Sequence, residues 1–207
     1  MDPTDDARRA SRTRAIAEGI RRALSCADGG RALDVGAGAG NVSLELAEVF
    51  DEIVLIDVAP EALDVARAAV VDAGHRARVT TALVDLSDAG CDTVGLGQVD
   101  VVYTAMALHH IADLDQLFRT VHGLLRPGGR FFGADLDPDG GAFHAHLPQF
   151  DGHHGFDRAA LAARLTAAGL TVDSVETVHV DRKAVDGVDR DFPIFLLSAT
   201  RQPVAAR

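Results

Sequence analysis

The sequence predicts an α/β protein built on one doubly wound, mostly parallel sheet with helices on both faces. Two observations support this fold class. Short continuous apolar runs alternate along the chain with longer segments of helical periodicity, which is typical of strand–helix units. Several of these runs end in glycine or an acidic residue, as strands do where open α/β sheets bind ligands. With 207 residues, 47% of them hydrophobic, we expect residues 1–207 to form a single domain around one core.

Seven segments are predicted as strands because they are continuous apolar runs or alternate apolar with polar residues. They are residues 32–35, 53–56, 78–84, 100–104, 131–135, 171–180 and 192–200. The first five alternate with helices and are therefore expected to be parallel. A polar stretch without helical periodicity separates the last two, so we expect an antiparallel pair that gives the seven-stranded sheet an antiparallel C-terminal strand.

Five segments are predicted as helices because their apolar residues recur at helical spacing. They are residues 4–24, within an N-terminal segment 1–27, and residues 41–50, 60–73, 114–125 and 156–168. Pro60 suits the first turn of its helix, and Gly74 ends that helix. Residues 126–130 are interpreted as a helix stop and tight turn. Residues 137–155, rich in Gly, Asp, Pro and His, are predicted to form a functional loop or lid.

The charge and cysteine content exclude several classes of partner. A formal net charge of −11 disfavours nucleic acid, which is bound through clustered cations. No apolar run approaches a membrane span, and residues 1–6 are acidic where a signal peptide is basic and then apolar. Cys26 and Cys91 are too few for a disulfide scaffold or a thiolate metal site. We therefore expect a soluble cytoplasmic protein with reduced thiols, and neither a nucleic-acid nor a membrane partner.

The first predicted strand runs into a glycine-rich turn. Gly36, Gly38 and Gly40 allow the backbone to turn tightly and to approach a ligand where a Cβ would clash. A helix starting near Asn41 then points free N–H groups at that ligand. Alone, this pattern predicts a cradle for a nucleotide-like molecule.

Carboxylates follow the next two predicted strands. Asp57 lies about 20 residues past the glycine turn, the spacing at which an acidic side chain accepts hydrogen bonds from both hydroxyls of a ribose. Asp85 ends the third strand. Because the carboxyl ends of parallel strands meet at one edge of the sheet, we expect both side chains near the glycine turn.

Taken together and in order, five motifs resemble class I S-adenosylmethionine-dependent methyltransferases, which have a Rossmann-like fold. They are residues 33–40 (LDVGAGAG), Asp57, residues 84–86 (VDL), residues 108–110 (LHH) and residues 125–129 (LRPGG). The likeness runs from about Arg31 to Thr200. The glycine spacing disfavours a nicotinamide oxidoreductase, since Asn41 occupies the place of the third glycine of that fingerprint.

This resemblance implies S-adenosylmethionine as the cofactor and assigns each part of it to residues of this chain. The methionine portion would lie over Gly36, Ala37 and Gly38. Asp34 would help to hold its amino group, directly or through water, and the backbone of Tyr103 or Thr104 would complete that end. Asp57 would bind the ribose diol. The adenine would contact Asp85, the Leu86 N–H and, beside its ring, Val58 and Ala59.

Histidines dominate the predicted acceptor side. A histidine near neutral pKa is the natural base for a hydroxyl acceptor. His110, after the fourth strand, and His154, in the loop, are predicted as catalytic candidates; structural or surface roles are the alternative. A metal site formed by His144 and His146 with Asp151 or His153 is a weaker reading, because no helical histidine pair or cysteine supports it, and no metal is predicted.

We therefore predict a methyltransferase that acts on a small-molecule acceptor. Residues 104–107 do not resemble the Asn/Asp-Pro-Pro-aromatic motif of enzymes that methylate amide or exocyclic nitrogens. The loop and the N-terminal helix would wall the acceptor pocket, with Phe143, Phe150 and Phe156 as apolar surface. The alternative is a protein that binds S-adenosylmethionine without methyl transfer. The acceptor and the choice of O-, N-, C- or S-methylation stay open, and the C-terminal strands offer an edge for a homodimer.

Overall fold

The computed structural model describes residues 3–24, 30–73 and 77–203. Its strands are β1 (Arg31–Val35), β2 (Glu52–Asp57), β3 (Arg78–Leu83), β4 (Val99–Ala105), β5 (Leu125–Leu136), β6 (Leu170–Val185) and β7 (Val188–Arg201). Its α-helices are α1 (Pro3–Ala23), α2 (Asn41–Leu46), α3 (Pro60–Ala73), α4 (Leu114–Leu124) and α5 (Arg158–Ala167). Cys26, predicted to be a reduced thiol, and Gly74, predicted to end a helix, lie outside these described residues.

The strands form one seven-stranded sheet in the order β3-β2-β1-β4-β5-β7-β6. Strands β1 to β5 are parallel to one another, and β7 is antiparallel to both of its neighbours, β5 and β6. The predicted fold class, a mostly parallel doubly wound sheet with an antiparallel C-terminal strand, is confirmed. The strand order reverses between β1 and β4, so the turns that follow these two strands are where such a sheet binds ligands.

Helices cover both faces of the sheet. On one face, α1, α2 and α3 bury Ile20, Leu46 and Leu63 against inward residues of the central strands. On the other face, α4 and α5 bury Phe118 and Leu165. The central strands are buried on both sides, which explains why the sequence shows them as continuous apolar runs rather than alternating ones.

The fourth helix is amphipathic, as predicted, and its first turn is capped. Asp113 accepts a hydrogen bond from the Gln116 N–H at 2.9 Å, which caps the start of α4,. The predicted turn at residues 126–130 instead lies inside β5. Leu125 pairs with Val99 and Arg130 with Val101, so the glycine-rich stretch forms a bulge in a longer strand.

The C-terminal strands also differ from the prediction. Residues 181–191 belong to a long hairpin of β6 and β7 rather than to a polar loop, and Asp186 and Gly187 turn it with φ of 53° and 77°. An Asp-Gly pair is a favoured sequence for such a two-residue turn, so the sequence contained the signal for this hairpin. Helix α2 ends at Leu46 instead of Phe50, and α5 begins at Arg158, capped by Asp157.

Residues 137–157 connect β5 to α5 without a helix or strand of their own, in agreement with the predicted loop at 137–155. Across the part of the chain that the structure describes, no helix has both the length and the apolarity needed to cross a bilayer.

Candidate active site

The candidate site lies where the sheet order reverses, at the carboxyl ends of β1 and β4. The turn after β1 contains residues 36–40, and the segment after β4 contains a short 3₁₀ turn, Leu108–His110. A Cβ built on Gly36 would lie 2.4 Å from the Cβ of Ala107. The two turns are therefore packed against each other, and Gly36 is required for that close approach.

The glycine turn is anchored to β2 at Gly36 and Ala37 and has open space at Gly38. The N–H groups of Gly36 and Ala37 both donate to the Ile56 carbonyl at 2.9 Å, which anchors the turn to β2. Gly38 has a φ of 53°, a conformation that favours glycine. A Cβ built there meets no other atom within 4 Å, so this side of the turn offers space for a ligand.

The contrast between Gly36 and Gly38 gives a paired test. Gly36→Ala places a methyl group against Ala107 and is expected to destabilise the fold by about 1–3 kcal/mol through overpacking, with strain in addition. Gly38→Ala meets open space and is expected to cost about 1 kcal/mol from its backbone angle, yet to weaken cofactor binding. Urea unfolding and calorimetry measure the two quantities. Equal stability losses would contradict this division.

Asp57 ends β2 and faces the glycine turn. Its Oδ2 accepts the Gly38 N–H at 2.8 Å, and its Oδ1 accepts the Ala59 N–H at 3.0 Å. Each carboxylate oxygen has two lone pairs, so each retains capacity for one further donor. The two backbone bonds hold the carboxylate beside the open face of Gly38, where a diol would find two acceptors.

Asp34 lies beneath the glycine turn. Its side chain is 2% exposed and accepts a hydrogen bond from Ser43 Oγ at 2.6 Å. The same hydroxyl lies 2.6 Å from the Tyr103 hydroxyl. Burial, supported by the charge of Asp57 and opposed by the Ser43 hydrogen bond, raises the pKa of Asp34 to about 7,. The predicted contact of Asp34 with the cofactor's amino group stays a prediction.

The pKa of Asp34 predicts a pH dependence of stability. Because its folded-state pKa is about 7 and its ordinary value is 3.8, the folded protein binds this proton more tightly than the unfolded chain. The stabilisation that this bound proton provides is therefore greatest below about pH 4. As the pH rises to about 7, the free energy of unfolding loses this contribution of about 4 kcal/mol. In urea titrations Asp34→Asn should show a flatter pH profile than the wild type over this range. Parallel profiles would contradict the assignment.

The ends of β2 and β3 present the residues predicted to contact adenine. Val58 is 64% exposed and Leu83, which the sequence interpretation did not single out, is 61% exposed. Asp85 is exposed, and its Oδ1 accepts from the Ser87 N–H at 2.8 Å and the Ser87 Oγ at 2.6 Å. Leu86 is buried. An apolar wall beside a carboxylate suits a purine ring with an exocyclic amine.

The remaining predicted cofactor residues lie on β4. The Tyr103 ring is buried and stacks on Phe50 with ring centroids 6.2 Å apart. Burial, reinforced by the charge of Asp34, raises the pKa of the Tyr103 phenol well above 10. The Thr104 hydroxyl is also buried, and it has no hydrogen-bond partner among the described residues. Both side chains point away from solvent, so their backbone groups are what a ligand at the strand end could contact.

A buried aspartate–histidine pair lies beside the turn after β4. His109 is 2% exposed, and its Nδ1 lies 2.7 Å from Oδ1 of Asp135. The carboxylate of Asp135 also accepts the backbone N–H groups of His109 at 3.2 Å and of Leu136 at 2.8 Å. With Nδ1 donating to Asp135, the lone pair of His109 is on Nε2. The sequence interpretation gave Asp135 no role, although a carboxylate ending an apolar strand was a signal.

The loop of residues 137–157 brings a third histidine to this pair. The ring centroids of His109 lie 4.3 Å from His110 and 4.9 Å from His144. His144 is buried and stacks on Phe150 at 3.9 Å with the rings nearly parallel. One nitrogen from each of the three histidines lies within 4.8 Å of the others. We call His109, His110 and His144 the histidine cluster.

Two rings of the histidine cluster, those of His144 and His110, favour the neutral form. Burial first, and then the proximity of His109 and His110, lowers the pKa of His144 to about 4,. Burial, with the proximity of His109, also lowers the pKa of His110. Neutral rings can accept a proton or bind a metal ion, and charged ones can do neither.

The other loop histidines lie outside the cluster. His153 donates its N–H to the His109 carbonyl at 2.8 Å, which ties the loop to the turn after β4. The His154 carbonyl accepts the Asp139 N–H at 3.1 Å, and its ring lies 5.6 Å from Phe150. His146 is exposed. Of the predicted catalytic pair, the structure therefore places His110 in the cluster and His154 next to Phe150, outside the cluster.

A cavity of about 1210 Å³ opens in front of the cluster. Arg8 and Arg12 of α1 form one wall, the loop forms another, and Lys183 of β6 lines it as well. Residues of both α1 and the loop, which the sequence predicts as walls of an acceptor pocket, line it. Of the three phenylalanines in that prediction, Phe143 lines this cavity, Phe150 stacks on His144, and Phe156 packs in the core.

The reversing parallel sheet, the antiparallel β7 and the open glycine turn together define the fold of the class I S-adenosylmethionine-dependent methyltransferases. Residues 8–175 match the model of a family described as a methyltransferase domain. The chain belongs to this methyltransferase family. The resemblance seen in the sequence is thereby confirmed, and S-adenosylmethionine is the cofactor of this class.

Individual relatives agree with that assignment. A ubiquinone biosynthesis O-methyltransferase of Xanthomonas axonopodis pv. citri is 32% identical over 159 residues, which cover 71% of this chain and 65% of the relative. The chain thus spans about two thirds of that protein's length. S-adenosylmethionine-dependent methyltransferases from Mesorhizobium loti (TM-score 0.68, 23% identity, covering 90% of this chain and 98% of that one) and Aquifex aeolicus (0.68, 17%, 97% and 99%) share the fold.

Proposed function

We propose that this protein transfers a methyl group from S-adenosylmethionine to an oxygen of a small-molecule acceptor. The observation that carries the proposal is Asp57, whose two carboxylate oxygens are fixed by the Gly38 and Ala59 N–H groups beside an open glycine turn. That arrangement offers a diol two oriented acceptors at the point where the sheet order reverses. The family membership of the chain supports the same activity.

The residues present fit this cofactor. Open space above Gly38, the remaining acceptor capacity of Asp57 and the exposed Val58 beside Asp85 match a nucleoside with a charged amino-acid tail. When bound, the cofactor supplies an electrophilic methyl group on sulfur. The glycine turn and Asp57 would hold and orient it.

The acceptor binds in the cavity bounded by α1 and the loop. The acceptor hydroxyl would give its proton to His110, and the bound cofactor would supply the methyl group to that oxygen. The histidine cluster lines this cavity, so His110 is the predicted catalytic residue that can reach an acceptor hydroxyl. His154, the other predicted catalytic residue, does not line this cavity. The name of the Xanthomonas relative, an O-methyltransferase, supports oxygen as the acceptor atom.

Turnover tests the proposal. We expect the purified protein to form S-adenosylhomocysteine from S-adenosylmethionine in the presence of some members of a panel of hydroxylated aromatic compounds, and to yield methyl ethers of them. His122→Ala serves as a histidine control, because His122 lies on α4 and is not among the residues that line the cavity. Cofactor binding without product from any acceptor would favour the alternative, a binding protein without methyl transfer.

Three further sequence predictions remain proposals. We propose that residues 1–207 act as one domain, that the protein resides in the cytoplasm, and that β6, the last strand of the sheet, supplies the edge of a homodimer. Analytical ultracentrifugation tests the last of these, because an unpaired strand edge is a template for pairing with a second copy.

A further inference from the structure

We propose that His109, His110 and His144 bind one divalent transition-metal ion, of the zinc type, at the acceptor side of the site. The cluster offers three imidazole nitrogens within 4.8 Å of one another. Imidazole is a preferred ligand of zinc and of its neighbours in the first transition row. The three residues come from two segments, the turn after β4 and the loop after β5, which the ion would join.

The nitrogen atoms are close to the geometry that an ion requires. Zinc–nitrogen bonds are about 2.0–2.1 Å long in tetrahedral sites, which places two bound nitrogens about 3.4 Å apart. The nitrogens of the cluster lie within 4.8 Å of one another, so an ion would draw the three rings closer together. His110 is exposed, whereas His109 and His144 are buried.

Asp135 prepares His109 as a ligand. Its Oδ1 lies 2.7 Å from Nδ1 of His109, which fixes the ring and leaves Nε2 for an ion. Metal-binding histidines usually donate their other nitrogen to such a carboxylate. Asp135 is fully buried, and within residues 3–24, 30–73 and 77–203 its ion-pair partner is His109. A cation bound to His109 would compensate the buried negative charge.

His144 supplies an independent indication. Its Nδ1 is buried and has no hydrogen-bond partner in the described part of the chain, which is unfavourable for a polar atom unless a ligand satisfies it. The stacked Phe150 ring, 3.9 Å away, holds the imidazole in place.

The site would also explain how an acceptor is activated. Three protein ligands leave a zinc ion an open position, and the cluster lines the cavity proposed for the acceptor. An acceptor hydroxyl bound there would have a lower pKa and would release its proton to water before methyl transfer. With the ion bound, His110 would be a ligand, so this route would replace its role as the base. This second part rests on the proposed function; metal binding by the cluster does not.

Metal binding is tested on the full chain, freed of any affinity tag and stripped with a chelator. After equilibrium dialysis against zinc sulfate, elemental analysis is expected to find one zinc per chain, and thermal unfolding should shift upward. His110→Ala and His144→Ala should each weaken zinc binding at least about tenfold, since even residues behind the ligands contribute about 10- to 100-fold. His146→Ala, in the same loop but outside the cluster, should bind zinc as the wild type does.

Several results would overturn the proposal. One is that the wild-type protein retains no zinc. Another is that His146→Ala loses as much zinc affinity as His144→Ala. Because His110 is exposed, His110→Ala keeps the test valid if His144→Ala fails to fold. Calorimetry with S-adenosylhomocysteine separates the two hypotheses: cofactor binding without zinc binding rejects the metal site alone. Full turnover by the zinc-free enzyme would reject acceptor activation by the ion.

Discussion

Replacing Asp57 with alanine is expected to weaken binding of S-adenosylhomocysteine by about 10- to 100-fold, the effect of losing charge-assisted hydrogen bonds. Both oxygens of this carboxylate are oriented by backbone N–H groups, those of Gly38 and Ala59. The substitution removes the acceptors of a diol and also the anchor of the glycine turn. Isothermal calorimetry of wild type and variant measures the loss.

A second aspartate controls for the charge change. Asp64 lies on the surface of α3, where it pairs with Arg67 at 2.8 Å, and Asp64→Ala should leave cofactor affinity within about twofold, since exposed ion pairs contribute little. Urea unfolding without ligand separates misfolding from lost binding. Equal affinities for wild type and Asp57→Ala would show that the site at the end of β2 has been misread.

Asp135→Asn is expected to lower kcat by about 10- to 100-fold while leaving the affinity for S-adenosylhomocysteine unchanged. Asp135 holds Nδ1 of His109 at 2.7 Å and accepts two backbone N–H groups as well. An amide replaces the carboxylate without its charge, so the tautomer and orientation of His109 are no longer fixed. Groups that orient a functional histidine typically have effects of this size.

The neighbouring aspartate provides the matched control for this variant. Asp137 follows β5 and forms a bidentate ion pair with Arg158, at 2.6 and 2.8 Å, away from the histidine cluster. Asp137→Asn is expected to retain kcat within about twofold, because a partly exposed ion pair contributes little free energy. If Asp135→Asn had the kcat and the pH–rate profile of the wild type, Asp135 and His109 would have no role at the acceptor side of the site.

The cofactor side of the site could be predicted from the sequence because its determinants are local. Gly36, Gly38 and Gly40 directly follow a strand, and Asp57 ends the next one, so parallel pairing alone brings them together. Their positive φ values explain why glycine occupies these positions. The same reasoning placed His110 near this edge of the sheet.

The acceptor side could be predicted only in part because its contacts are distant in sequence. Asp135 reaches His109 across 26 positions, and His144 approaches it through an irregular loop. No periodicity marks which residues of such a loop will fold inward. The buried link from Asp34 through Ser43 to Tyr103 is equally invisible, since a serine in the first turn of a helix usually faces solvent or caps the backbone.

The most direct test of the central claim is calorimetric titration of the wild-type protein with S-adenosylhomocysteine and, separately, with a nicotinamide dinucleotide. The structure predicts saturable binding of one S-adenosylhomocysteine per chain and no binding of the dinucleotide, because Asn41 stands where the third glycine of the dinucleotide fingerprint is required,. Absence of S-adenosylhomocysteine binding, or saturable binding of the dinucleotide in its place, would contradict the account.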